Sequence, residues 1–168
     1  KNNKINGGSA CYFICHKKSK FKTNKKKISK ILKEEKNIGL ENVNSYKQFL
    51  KKINELSEKT KIFIKKILSN NLKIHGYGAS TKGNVLLQYL GITQKEIKYI
   101  AERNPLKYNK FTPGTSIKII SEKKSRSLKP DYYFVLPWHF KDEIIQREKN
   151  IRKKGTKFIF PLPKLKIV

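Results

Sequence analysis

Between Leu72 and Phe160 the chain alternates short, continuously apolar runs with amphipathic stretches, and turn residues punctuate the junctions. Leu72 to Tyr77, Ile97 to Ala101, Ile117 to Ile120, Tyr132 to Pro137 and Lys157 to Phe160 read as strands, and Leu165 to Val168 reads as an added edge. Strands without polar alternation are buried on both faces, as in a parallel sheet with helices on each side. The intervening segments supply those helices: one through Val85, Leu86, Leu87 and Leu90 ending at Gly91, a brief one from Ser121 to Ser127, and one from about Phe140 to Lys153 closing at Gly155. A loop from Glu102 to Ser116 carries Asn-Pro and Pro-Gly turn signals. Right-handed crossovers then favour a doubly wound, mainly parallel, Rossmann-like α/β sheet of order 3-2-1-4-5.

Upstream, Tyr46, Phe49, Leu50, Ile53, Leu56, Thr60, Phe63, Ile64 and Ile67 recur at three- and four-residue steps. This predicts one long amphipathic helix preceding the sheet, opening after Asn44 or Ser45 as N-cap. From Lys17 to Lys36 lysine dominates, with Ile28, Ile31 and Leu32 as a short helical stripe, which reads as a linker holding a brief helix. Gly7-Gly8-Ser9 followed by Ala10-Cys11-Tyr12-Phe13-Ile14-Cys15 reads as a turn feeding a short apolar strand with no partner nearby in sequence. The expected organisation is residues 1–20 as the closing strand of another domain, 21–44 as a Lys-rich linker, and 45–168 as the Rossmann-like domain.

The charge balance narrows the function classes. Forty basic residues against 12 acidic ones leave a formal charge of +28, which invites nucleic acid as a partner. Only Arg103, Arg126, Arg147 and Arg152 are arginines, however, and the lysines lie along most of the chain beside abundant Ile and Asn. A base-reading protein uses the arginine fork, so a basic nucleic-acid-binding domain ranks as the lesser alternative and no specific nucleic acid is expected. Cys11 and Cys15 are the only cysteines, and His16, His75 and His139 do not complete a zinc set around them, so no metal site is expected in this chain. No run approaches the roughly 18 apolar residues of a membrane span, so no membrane partner and a cytoplasmic location are expected. The absence of any Met is read as the mark of a fragment.

In a doubly wound sheet the ligand crevice lies beyond the C-terminal strand ends at the switch point. The turn after the first strand reads Gly76-Tyr77-Gly78-Ala79-Ser80-Thr81-Lys82-Gly83. Small residues there let backbone amides of Gly78 to Lys82 approach an anion, the following helix N-terminus favours negative charge, and Ser80, Thr81 and Lys82 add side-chain donors. The third glycine comes two places later than in GxGxxG. Glu102, at the end of the second strand, stands where a dinucleotide fold grips a ribose hydroxyl. Arg103 is next to it, Lys107 in the loop could face phosphates, and Trp138 and His139 reach the same rim. The residues alone therefore point to a nucleotide or phosphorylated ligand, with an NAD(P)- or other dinucleotide-binding module as the competitor.

Taken together, Gly7-Gly8-Ser9, Gly76 to Asn84, Glu102-Arg103-Asn104-Pro105-Leu106-Lys107, Thr112-Pro113-Gly114-Thr115, Leu136-Pro137-Trp138-His139 and Gly155 to Pro163 resemble the C-terminal region of the S-adenosylmethionine-dependent C-methyltransferases that act on nucleotide-linked deoxysugars. The resemblance runs from Gly7 to Val168. It implies a Rossmann-like C-terminal domain that does not bind the methyl donor and holds the sugar nucleotide against a central methyltransferase domain. That central domain, the zinc of an N-terminal segment and the catalytic residues would all lie upstream of Lys1, with Gly7 to His16 as the closing strand of the central domain. The fragment alone is then expected to be inactive. Substrate-binding residues carried over are Gly76, Tyr77, Gly78, Ala79, Ser80, Thr81, Lys82, Gly83, Asn84, Glu102, Asn104, Lys107, Pro113, Gly114 and Trp138. Ser116 stands where the family commonly has His, His139 where Asn is common, and Glu102 where Asp is more usual; these departures bear on which sugar is bound.

Overall fold

A computed structural model of the chain describes residues 2–3 and 8–168. It divides into two units, residues 1–55 and 56–168.

In the first unit β1 (Asn2–Asn3) pairs antiparallel with β2 (Ser9–Ala10), so β2 does have a partner close in sequence. The apolar strand predicted to continue to Cys15 ends at Ala10, and Tyr12, Phe13 and Ile14 are exposed. Gly7 lies outside the described residues. The brief helix expected within the Lys-rich stretch is a full 14-residue helix, α1 (Lys25–Ile38). Asn24 caps it, its Oδ1 accepting from the Lys27 N–H at 3.0 Å, and Gly39 ends it in the left-handed conformation with φ 77°. Lysine is a good helix former, so charge density does not prevent the helix, although none of its residues is buried.

The predicted long helix is α2 (Val43–Ser69), 27 residues. Its start lies slightly upstream of the expected cap: Asn42 Oδ1 accepts from the Asn44 N–H at 2.8 Å. An Asx side chain at that place satisfies one of the orphan donors of the first turn.

The second unit is built on a six-stranded sheet of order β5-β4-β3-β6-β7-β8. Five parallel strands, β3 (Ile74–Tyr77), β4 (Tyr99–Glu102), β5 (Lys118–Ser121), β6 (Tyr132–Val135) and β7 (Lys157–Phe160), realise the predicted 3-2-1-4-5 order. β8 (Lys166–Ile167) adds the antiparallel edge. Crossovers run through α3 (Thr81–Leu90), α4 (Glu122–Ser127), and the pair α5 (Lys141–Arg147) and α6 (Lys149–Lys153). The single helix expected from Phe140 to Lys153 is thus broken at Glu148, whose φ −92° and ψ 21° leave helical geometry while its carboxylate turns inward.

Two apolar cores cover the sheet. Ile64 and Ile67 of α2 and Leu87 and Leu90 of α3 pack with Ile74, Ile100, Ile119, Phe134 and Ile159. A second cluster joins Tyr77, Tyr133, Val135, Phe158 and Phe160 to Ile144 of α5. Each such fully buried side chain contributes about 1.5–3 kcal/mol relative to exposure. α3 lies so close to the sheet that a Cβ at Gly83 would overlap the Leu136 Cβ.

Candidate functional site

The C-terminal ends of β3, β4 and β6 open onto a cleft of about 460 Å³. From the glycine turn it is lined by Tyr77, Gly78, Ala79 and Ser80, and from the end of β4 and the loop beyond by Glu102, Arg103 and Lys107. The rest of the lining is Glu122 of α4, Pro137, Phe140, and Glu143, Ile144 and Arg147 of α5.

The first two amides of the turn have protein partners. Gly78 takes φ 77°, and its N–H continues the ladder to Ala101 O at 2.8 Å. The next amide, Ala79 N–H, donates to Glu102 Oε2 at 2.8 Å. Glu102 Oε1 accepts from the N–H groups of Arg103 at 2.8 Å and Asn104 at 2.9 Å. Lys107 Nζ donates to Ala79 O at 2.7 Å and lies 3.6 Å from Glu102 Oε2. Three of the roughly four acceptor positions of the carboxylate are thus filled by backbone amides, and the Lys107 ammonium adds an ion pair. Ser80 Oγ accepts from Gly83 N–H at 3.0 Å, as the N-cap of α3.

A charge network centred on the buried Glu148 adjoins the cleft. Glu148, 2% exposed, accepts from Tyr77 Oη at 2.6 Å, from Arg126 Nη2 at 2.9 and 3.1 Å, and from Arg147 Nε at 3.2 Å. Glu122 bridges the same two arginines, each at 3.0 Å, and Arg147 Nη2 also donates to Tyr77 Oη. Burial, and then donation to Glu148, push the Tyr77 phenol well above its ordinary pKa, so it stays a neutral donor. Burial alone would lower Arg147, but its hydrogen bond to Tyr77 and the charges of Glu122 and Glu148 outweigh that and raise it.

Of the residues singled out in the sequence, Tyr77, Gly78, Ala79, Ser80, Glu102, Arg103 and Lys107 converge on the cleft. The others do not line it. Gly76 is buried in β3, where a Cβ would meet Ile100 Cγ1 at 2.7 Å. Thr81 and Lys82 are exposed on the first turn of α3, and Gly83 serves helix–sheet packing. Burial, and then the Lys82 charge, lower the His139 pKa. Asn84 lies on α3 with its Oδ1 buried and without a hydrogen-bond partner. Asn104 Oδ1 caps the short 3-10 turn Pro105–Lys107 through Leu106 N–H at 3.0 Å. Pro113 O accepts from Gln88 Nε2 at 3.3 Å, and Gly114 approaches the same Gln88 side chain. Trp138 packs against the second core.

Glu122, Glu143 and Arg147 went unrecognised as cleft residues. They come from α4 and α5, and no motif marks them. The cleft wall balances three carboxylates, Glu102, Glu122 and Glu143, against Arg103, Lys107 and Arg147, in a chain of 40 basic and 12 acidic residues. Arg103 and Glu143 alone among these six have no side-chain hydrogen bond or ion pair with the described residues. Among the described residues no three His, Cys, Asp or Glu side chains group as a metal site, and no helix is long and apolar enough to cross a membrane.

Comparison with known proteins agrees with the order of motifs. Residues 4–163 match the model of the C-methyltransferase C-terminal domain family. The C-methyltransferase NovU of Streptomyces niveus is 30% identical over 141 residues, which make up 84% of this chain and 34% of that protein. The chain therefore spans about a third of the length of this curated relative.

Proposed function

The chain belongs to the C-methyltransferase C-terminal domain family, and from that premise we propose that its cleft holds a nucleotide-linked deoxysugar for methylation at carbon by a longer polypeptide of which this is one part. The observation that carries the reading is that Arg103 and Glu143, both lining one cleft, have no side-chain hydrogen bond or ion pair with the described residues. A guanidinium fork suits a diphosphate, and carboxylates accept from sugar hydroxyls, so a ligand with both groups matches a wall of balanced charge.

The engaged carboxylate of Glu102 argues against a dinucleotide. A ribose needs the acid at the end of the second strand free to accept from its hydroxyls. Ala79 N–H donates to Glu102, and the Glu102 oxygens are engaged by three amides and an ammonium. The ribose of S-adenosylmethionine meets the same obstacle. On this reading the donor site and the catalytic base belong to another part of the polypeptide. A base-reading role finds little support, since Arg126 and Arg147 are tied to Glu122 and Glu148.

Thermal unfolding with added ligand tests the proposal. Thymidine or uridine diphosphate should raise Tm, because a ligand that binds only the folded state stabilises it. Arg103→Ala should weaken that binding at least tenfold, and Glu143→Ala should weaken only the sugar-bearing nucleotides. Stabilisation by NAD or NADH and none by either diphosphate would reverse the conclusion in favour of a dinucleotide module.

A further inference from the structure

Glu143 and Arg147 stand one helical turn apart on α5, and both line the cleft. At that spacing a carboxylate and a guanidinium have Cβ atoms about 5–6 Å apart and ordinarily pair. Here they do not. Arg147 is drawn to other partners: its Nε donates to Glu148 Oε1 at 3.2 Å, and its Nη2 donates to Glu122 Oε1 at 3.0 Å and to Tyr77 Oη. The guanidinium also lies over the Tyr77 ring, 5.5 Å from its centroid. Of the five guanidinium N–H donors, the two on Nη1 have no hydrogen bond with the described residues. An unpartnered acceptor and an unpartnered donor are thus left side by side on the cleft.

Charge decides which ligand atoms suit them. Arg126 and Arg147 share Glu122 and Glu148, so two cations meet two anions and the group is neutral as a whole. A guanidinium compensated in this way keeps its N–H donors but exerts little net field on an anion, whereas Arg103 has no ion-pair partner among the described residues and keeps its full charge. An uncharged oxygen is therefore the acceptor that Arg147 Nη1 suits, and a hydroxyl is the donor that Glu143 suits. We propose that Glu143 and Arg147 read two neighbouring oxygens of the sugar ring: a hydroxyl that donates to the Glu143 carboxylate, and an adjacent hydroxyl or carbonyl that accepts from Arg147 Nη1. Glu122, Glu148 and Tyr77 position the guanidinium for that contact. The cleft then favours a sugar with two vicinal oxygens over one deoxygenated at either place, and the diphosphate stays with Arg103. The inference rests on the reading of the cleft as a sugar-nucleotide site and assigns the sugar end of it.

Arginine is scarce enough to be watched directly, since Arg103, Arg126, Arg147 and Arg152 are the only four in the 168 residues. Nuclear magnetic resonance of the chain carrying isotope-labelled arginine gives one set of guanidinium signals for each. Thymidine or uridine diphosphate should move the Arg103 signals and leave those of Arg147 in place, and the glucose conjugate of the same diphosphate should move both. Arg147→Lys, which keeps the charge but loses the planar donor, should weaken binding of the conjugate about tenfold, the effect of losing one hydrogen bond to a charged group, and leave binding of the bare diphosphate unchanged. Should that variant fail to fold, the wild-type signals decide alone. Arg147 signals that stay in place with the conjugate while those of Arg103 move overturn the proposal and leave the nucleotide reading standing. So do Arg147 signals that move as far with the bare diphosphate, which would make this residue a phosphate anchor. Arg147 signals that move with the conjugate while Arg103 answers to neither ligand uphold the sugar contact and remove the diphosphate from Arg103. No response of either arginine to either ligand overturns both.

Discussion

Glu102 reaches back from the end of β4 to hold the Ala79 N–H of the glycine turn at 2.8 Å. A negative charge thus already occupies the place where sequence motifs put a ligand anion. The consequence is a latch: the turn, the β4 end and the loop bearing Lys107 are locked together by one carboxylate.

Glu102→Gln should therefore act on stability. The amide NH2 would face a donor where Oε1 or Oε2 now accepts, leaving at least one partly buried N–H unsatisfied at a cost of about 1–3 kcal/mol. Urea unfolding checks this. If Glu102 were instead a ribose ligand, the substitution would leave the unfolding midpoint unchanged and weaken only ligand binding.

The two glycines flanking α3's first turn are predicted to fail differently. Gly83→Val would drive its Cβ into Leu136, and overpacking of that kind costs about 1–3 kcal/mol or more. Gly78→Ala combines a φ of 77° with a Cβ 2.8 Å from Pro137 Cγ, so strain at the turn should add about 1–2 kcal/mol. Lys82→Ala, on the exposed first turn of α3, should change stability and nucleotide diphosphate binding by less than about 0.5 kcal/mol. Melting temperatures and diphosphate titrations of the three variants give the ranking.

Removing the carboxylate of Glu148 should be the most damaging change near the cleft. Its loss leaves Arg126 and Arg147 with Glu122 alone and Tyr77 Oη without its acceptor. Breaking a buried ion pair costs about 3–5 kcal/mol, and the arginines' 41% and 38% side-chain exposure reduces that to about 2–3 kcal/mol for Glu148→Ala. Tyr77→Phe, which keeps the ring packing and loses one hydrogen bond, should cost about 1 kcal/mol. Equal unfolding midpoints for wild type and Glu148→Ala would refute the structural role of the network.

Acid should weaken the fold partly through His75. Burial, and then the Lys73 charge, lower its pKa from 6.5 to about 4, and its Nδ1 lies 2.8 Å from Ser125 Oγ. The unfolded chain therefore takes up this proton more readily than the folded one. The contribution of His75 is present in full above pH 6.5 and is lost as pH falls towards 4, reaching roughly 3 kcal/mol in total. A His75→Gln variant should show a shallower decline of Tm between pH 6.5 and 4 than wild type; parallel declines would contradict the assignment.

What the sequence determined by itself was the sheet and its order. Continuous apolar runs such as Tyr132 to Val135, glycine stops such as Gly91, and the handedness of crossovers are local or steric constraints, and they lead to the observed strand order without long-range information. The same locality made the glycine turn and the end of the second strand legible as the rim of a cleft. Tertiary structure alone decided which charges meet there. Glu122, Glu143 and Arg147 reach the cleft because α4 and α5 are rotated to bury Ser125 and Ile144, a rotation set by packing on the sheet. The helix break at Glu148 follows from its pull towards Tyr77 and two arginines, none of them neighbours that helical periodicity would reveal, apart from Arg147 itself. In a chain with lysines along most of its length, pattern cannot distinguish Lys107, engaged with Glu102, from Lys82 on the exposed turn. Only the folded chain brings the Ala79 carbonyl and the Glu102 carboxylate within reach of the Lys107 ammonium.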